Sequence, residues 1–223
     1  VIASGYCYRH RHSYQYQKAV MTNVAICGGH LTPALALIEN LQADNIKIIF
    51  FGRKFATEGA QNFSAEYQLI SKKKNLHFIT ITAGRFQRKF TKYTIPSLFK
   101  IPIGFIQSFV YLLKYRPTTI VSFGGYLSLP VVFSGWLVGI DSIVHEQSLV
   151  PGLANRINSL FAKKIFLTWP ATLKYFPKEK SLVVGNLTRL SIFNKSTHNR
   201  KIQKFLAKIG RLIFITGGNQ GSH

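Results

Sequence analysis

From residue 22 onward, short runs rich in Val, Ile and Phe alternate with longer segments of helical period, and this alternation restricts the fold more than any other feature. The apolar runs at 22–27, 46–51, 76–82, 118–123, 140–145, 163–168 and 181–184 predict seven strands. Between the first two, Leu31, Leu35, Ile38 and Leu41 recur at spacings of three and four. They predict a helix with Thr32 as its N-cap and Pro33 as its first helical residue. Repeated strand, turn and helix of this kind is the pattern of βαβ units, so the chain is α/β with a Rossmann-like parallel sheet. Such sheets bind ligands beyond the C-terminal ends of their strands, where loops and positive helix N-termini converge. Function is therefore expected in the strand-end loops.

The same pattern divides the chain. Residues 21–190 read as one domain. A basic, polar stretch from Asn194 to Lys208 lies within a linker and helix at 191–210. Arg211 to Thr216 then reads as a fresh strand running into the Gly-rich turn Gly217 to Ser222, the start at 211–223 of a second Rossmann-like domain that is truncated. Residues 1–20 precede Met21 and show neither strand nor helix period. They are expected to be a non-native or disordered extension, and their Cys7, His10 and His12 lack a fourth partner for a metal site. Two apolar stretches, 95–113 and 127–144, are broken by Pro96, Lys100 and Pro102 and by Pro130 and Asp141. They predict buried or interfacial helices rather than membrane spans.

Charge points to an anionic partner, with 29 Lys and Arg against 7 Asp and Glu and a net charge of +22. That excess favours nucleic acid, anionic lipid and phosphorylated ligands alike, so it does not choose among them. No RNP-like or zinc-finger spacing appears, and a specific nucleic-acid partner is not expected. Two cysteines, Cys7 and Cys27, are too few for a disulfide framework, and no apolar N-terminal run reads as a signal peptide. The expected compartment is the cytoplasm. The only aspartates are Asp44 and Asp141, so no Asp-x-Asp pair is available to hold a divalent metal on a nucleotide diphosphate. Diphosphate charge would be met by amides and by Arg or Lys, with no metal or other cofactor. Neither a Walker A loop nor a serine nucleophile elbow is present.

Four strand-end loops stand out. Cys27-Gly28-Gly29-His30 precedes the first helix, where glycines permit close backbone approach and helix amides favour an anion. Gly124-Gly125-Tyr126 follows the fourth strand and leaves room either for a ligand or for packing. His145-Glu146-Gln147-Ser148 follows the fifth strand, ahead of Pro151-Gly152-Leu153-Ala154-Asn155-Arg156. Polar side chains directly after a buried strand need partners, because burying them unpaired costs a few kcal/mol. The fourth loop is Gly217 to Ser222.

In order, these loops resemble the MurG family of N-acetylglucosaminyltransferases. Gly28-Gly29-His30-Leu31-Thr32-Pro33-Ala34-Leu35-Ala36 resembles its Gly-Gly-His-x-x-Pro-Ala-Leu-Ala opening. Gly124-Gly125-Tyr126, His145-Glu146-Gln147, Pro151 to Arg156, Val184-Gly185-Asn186 with Arg189, and Gly217-Gly218-Asn219-Gln220-Gly221 follow in family order. Three departures stand out. Ala25, Ile26 and Cys27 occupy the space of an additional Gly-Gly-Thr, Ser148 stands for Asn, and Asn219 stands for Ser.

The resemblance implies a GT-B fold with acceptor lipid on the N-terminal domain and UDP-sugar mainly on the C-terminal one. It implies inverting transfer of N-acetylglucosamine from UDP-N-acetylglucosamine to undecaprenyl-linked lipid I, making lipid II, at the cytoplasmic face of the bacterial plasma membrane. This stretch of chain would be inactive alone. His30 is the candidate base, since imidazole titrates near neutral pH, and Glu146 the competing one. Cys27, Gly28, Gly29, Gly124, Gly125, Tyr126, Gln147, Ser148, Asn155, Arg189, Asn219 and Gln220 are the candidate substrate contacts. Basic and bulky apolar residues interleave at Arg85, Phe86, Arg88, Lys89 and Phe90, a candidate patch for anionic headgroups or the acceptor's diphosphate. Two other readings remain: a GT-B enzyme with another lipid acceptor, or a basic module that binds nucleic acid or anionic lipid.

Overall fold

Seven parallel strands form one sheet in the order β3-β2-β1-β4-β5-β6-β7. The computed structural model describes residues 23–44, 46–55, 62–73, 75–82, 84, 94–189 and 200–208. The strands are β1 (Asn23–Cys27), β2 (Lys47–Gly52), β3 (Leu76–Thr80), β4 (Thr119–Ser122), β5 (Ser142–Glu146), β6 (Lys164–Leu167) and β7 (Ser181–Val183). Each of the seven predicted strands is present. The helices are α1 (Leu31–Ala43), α2 (Ala65–Ile70), α3 (Thr94–Tyr115), α4 (Ser128–Leu137), α5 (Leu153–Phe161) and α6 (Arg200–Ala207).

Alternation along the central strands explains why both sheet faces are covered. Val24 and Ile26 point to one face and pack with Ile38, Ile48, Phe50 and Ile70, beneath α1 and α2. Ala25 and Cys27 point to the other and pack with Ile49, Phe51, Leu112, Val131 and Val132, beneath α3 and α4. Burying a large apolar side chain of this kind contributes about 1.5–3 kcal/mol, so neither face can be left to water.

Strand order reverses direction between β1 and β4, with Cys27 level with Ser122. This switch point parts the loops at the C-terminal strand ends and makes them the place for a ligand. α1 begins at Leu31 with His30 as its N-cap, earlier than predicted, because the chain turns helical directly after the glycines. Thr32 therefore lies inside the first turn and caps nothing. The apolar stretch 127–144 divides into α4, a turn at Val138 and Gly139, and β5. The stretch 95–113 lies within α3, which has Pro102 inside it. No helix among the described residues is long and apolar enough to cross a membrane. Residues 1–20, the patch from Arg85 to Phe90, and 211–223 with Asn219 and Gln220 lie outside the described residues.

Candidate active site

A cleft of about 710 Å³ opens at the C-terminal edge of the sheet, beside the switch point. Its walls include Gly29, His30, Thr32, Arg53, Ser64, Glu66, Gly125, Tyr126 and Gln147. Five of the predicted residues, Gly29, His30, Gly125, Tyr126 and Gln147, therefore come together from three separate loops. The N-terminus of α1 faces the same space. Its first turn carries no acidic residue and no side-chain cap, which leaves the positive end of a thirteen-residue helix open to an anion.

The two Gly-Gly loops are stitched together by their backbones. The Gly29 amide donates to the Gly124 carbonyl at 2.8 Å, and the Phe123 amide donates to the Cys27 carbonyl at 2.8 Å. Gly125 has φ +77°, and a Cβ there would stand 3.0 Å from the Cα and amide nitrogen of Gly29. A Cβ on Gly28 would stand 2.8 Å from the Phe123 amide nitrogen. Two of the glycine pairs singled out in the sequence thus serve close packing first, and only Gly29 and Gly125 reach the cleft wall.

His30 presents its ring to the cleft, with Nδ1 2.8 Å from the side-chain nitrogen of Gln147. An Arg53 guanidinium nitrogen donates to the Tyr126 hydroxyl at 3.5 Å. Arg53 lies directly after β2, and Ser64 caps α2 by accepting from the Tyr67 amide at 3.1 Å. Arg53, Ser64, Glu66 and Thr32 were not anticipated as site residues. A strand-end position was the available signal for Arg53, but without a Gly-rich turn it did not stand out.

Besides Gly28 and Gly124, five predicted site residues lie off the cleft wall: Cys27, Glu146, Ser148, Asn155 and Arg189. Cys27 is fully buried among the residues beneath α3 and α4, and burial raises its thiol pKa to about 12 despite a hydrogen bond with Ser122. It cannot meet substrate. Glu146 is 1% exposed, and its carboxylate accepts from the Ser148 amide at 2.8 Å, the Asn155 side chain at 2.9 Å and the Gly152 amide at 3.3 Å. Those donors occupy the carboxylate, so Glu146 holds the β5 loop to α5 rather than facing a substrate hydroxyl. Asn155 is buried too, bridging Glu146 and the His145 carbonyl against Gly124. Ser148 is engaged through its backbone, its amide on Glu146 and its carbonyl on the Thr172 hydroxyl.

His145 completes this polar layer, packed 5.6 Å from the Phe123 ring, with Nε2 3.4 Å from the Gly185 carbonyl. Desolvation pushes its pKa below 6.5, opposed by the Gly185 hydrogen bond and the Glu146 charge. Arg189 reaches back to α1, where two of its nitrogens meet Glu39 Oε1 at 2.8 and 2.9 Å. No group of three or more His, Cys, Asp or Glu side chains that could hold a metal ion occurs among the described residues.

Residues 27–167 match the model of the glycosyltransferase family 28 N-terminal domain. The chain belongs to that family. Among its curated relatives are two named UDP-N-acetylglucosamine--N-acetylmuramyl-(pentapeptide) pyrophosphoryl-undecaprenol N-acetylglucosamine transferase. One, from Borreliella afzelii, is 35% identical over 199 residues, covering 88% of this chain and 52% of the relative. The other, numbered 2 in Bacillus cereus, is 35% identical over 199 residues, covering 87% and 53%. This family 28 chain thus spans about half the length of the curated relatives it matches. MurG of Acinetobacter baumannii shares the fold with a TM-score of 0.58 at 24% identity, covering 75% of this chain and 46% of that one. A UDP-GlcNAc 2-epimerase of Methanocaldococcus jannaschii does so with 0.55 at 18%, covering 84% and 53%. These neighbours agree with a GT-B type α/β fold for the family 28 domain.

Proposed function

We propose that this chain is the acceptor-binding half of an enzyme that transfers N-acetylglucosamine from UDP-N-acetylglucosamine to undecaprenyl-pyrophosphoryl-N-acetylmuramyl-pentapeptide. The observation that carries the reading is the convergence of Gly29, His30, Gly125, Tyr126 and Gln147 on one cleft, in a chain 35% identical to relatives bearing that name. The cleft is open, cationic at Arg53 and amide-rich at the α1 N-terminus, which suits a diphosphate. The donor nucleotide would be held mainly by a second domain, with Asn219 and Gln220 at its first loop and Arg189 near the join. No metal enters this reading.

In the reaction, the muramyl hydroxyl oxygen bonds to the anomeric carbon of N-acetylglucosamine from the face opposite UDP. The bond to UDP breaks and its electron pair leaves on the diphosphate, so the configuration inverts. His30 takes the hydroxyl proton as the bond forms. Glu146, whose oxygens are already occupied, takes no proton in this scheme.

Binding to an undecaprenyl lipid places the protein at the cytoplasmic face of the membrane. The exposed row Ile103, Ile106, Val110 and Leu113 on α3 supports peripheral contact, since an unpartnered apolar helix face beside basic residues fits an anionic lipid interface. Arg85, Phe86, Arg88, Lys89 and Phe90, which precede α3 in sequence, belong to the same proposed contact.

The test is turnover in a chain extended to the length of its relatives. His30→Ala should lower kcat by about 10²-fold or more while lipid I binding changes little. An unchanged kcat would remove His30 from the chemistry.

A further inference from the structure

His30 and Gln147 lie 117 positions apart, yet their side chains meet at the cleft wall, 2.8 Å between the Gln147 amide nitrogen and His30 Nδ1. Gln147 is itself held in place. Its backbone carbonyl accepts from Trp169 Nε1 at 3.0 Å, and the residues on either side are joined by the Glu146 carboxylate and the Ser148 amide. Among the described residues, no hydrogen bond engages His30 Nε2. The ring's environment is otherwise ionisable, with His145 and Glu146 on the β5 side and Arg53 and Glu66 across the cleft.

An imidazole that is to accept a proton at Nε2 must carry its own proton on Nδ1. A carboxamide can meet Nδ1 with either end. If the NH₂ donates, Nδ1 is the acceptor, the ring proton sits on Nε2, and the cleft is offered a donor. If the carbonyl oxygen accepts, Nδ1–H is the donor and Nε2 is left basic. The structure places the NH₂ against Nδ1, the first pattern, and a half-turn about the last side-chain bond of Gln147 exchanges it for the second without moving His30. Once the ring has gained a proton both nitrogens bear hydrogen, and only the carbonyl oxygen satisfies Nδ1–H.

We propose that Gln147 is a positioning residue that sets the tautomer of His30, turning its Oε1 to Nδ1–H and leaving Nε2 as the proton acceptor of the cleft. The inference rests on the reading of His30 as base. A neutral amide has an advantage over the carboxylate that orients many catalytic histidines. It fixes the direction of the ring without adding a negative charge beside a bound diphosphate.

The experiment is long-range ¹H–¹⁵N spectroscopy of the full 223-residue chain carrying ¹⁵N-histidine, with His30→Gln used to assign the His30 signals. The expected spectrum of neutral His30 has a protonated Nδ1 and an unprotonated Nε2. Gln147→Ala should shift His30 to the Nε2–H form that free imidazole favours in water. Gln147→Glu, which can only accept, should keep the Nδ1–H form. In the extended chain Gln147→Ala should lower kcat by about tenfold or more at nearly constant KM, with partial recovery in Gln147→Glu. A predominantly Nε2–H His30 in the unaltered chain, or a tautomer indifferent to Gln147→Ala, overturns the proposal. A tautomer that follows Gln147 while His30→Ala leaves turnover intact upholds it and removes the base reading instead.

Discussion

Replacing Glu146 separates a structural carboxylate from a catalytic one. The side chain is 1% exposed and its oxygens accept from the Ser148 amide, the Asn155 side chain and the Gly152 amide. Hydrogen bonds to a charged group contribute about 1.5–3 kcal/mol each, and the Gly152 contact at 3.3 Å sits at the weak end. Glu146→Ala removes all three and recovers part of the carboxylate's solvation cost, for a net loss of about 3–4 kcal/mol. Glu146→Gln is gentler. Its single oxygen can serve Asn155 and Gly152, but its NH₂ then opposes the Ser148 amide, donor against donor, at a cost of about 2 kcal/mol. With a urea m-value of about 2 kcal/mol/M, the midpoints should fall by roughly 1.5–2 M and 1 M. Equilibrium unfolding followed by circular dichroism reads both. A Glu146→Gln chain within about 0.5 kcal/mol of the parent would refute this account of the β5 loop and return Glu146 to the list of candidate bases.

Gly125→Ala puts a Cβ on a φ of +77° and 3.0 Å from the Gly29 backbone. It should cost about 2–4 kcal/mol and part the two Gly loops, visible as a lower Tm and as lost protection of the Gly29 amide in hydrogen exchange. Cys27, its thiol raised to about 12 by burial, should resist iodoacetamide at pH 8 in the folded chain and react once urea unfolds it, as read by peptide mass spectrometry. Early alkylation would place it outside the core. His145 has a native pKa below 6.5, so below that pH the unfolded chain binds a proton that the folded chain resists. Stability should therefore fall as pH drops below 6.5, and His145→Phe should flatten that part of the profile; an unchanged slope would assign it to other groups.

Periodicity carried the sheet. Past their first residue both faces of β1 and β2 are buried, so their sequences are continuous apolar runs that end at a glycine. The loops were harder, because a polar residue after a buried strand has two uses. Gln147 turns toward the cleft, whereas Glu146 and Asn155 turn inward to occupy one another and the Ser148 and Gly152 amides. Spacing alone does not separate these, since what decides is which backbone amides the β5 turn leaves without partners. Cys27 was misplaced for a related reason. It adjoins the glycines, but as the last residue of β1 its side chain follows Ala25 into the core. Arg53 and Ser64 reach the cleft from the end of β2 and the start of α2, segments whose sequence contains no distinguishing turn. Arg189, assigned by resemblance to the donor, is paired with Glu39 on α1, a contact across 150 positions that no local pattern reveals.

The measurement that bears most directly on the proposed function is capture of the chain by vesicles with and without lipid I, at low and high salt. Capture that depends on lipid I and survives high salt is the predicted result, because the cleft would then bind the acceptor through placed amides and side chains rather than through net charge. Equal capture by any anionic vesicle, abolished by salt, would contradict it and leave the +22 charge as the sole source of binding.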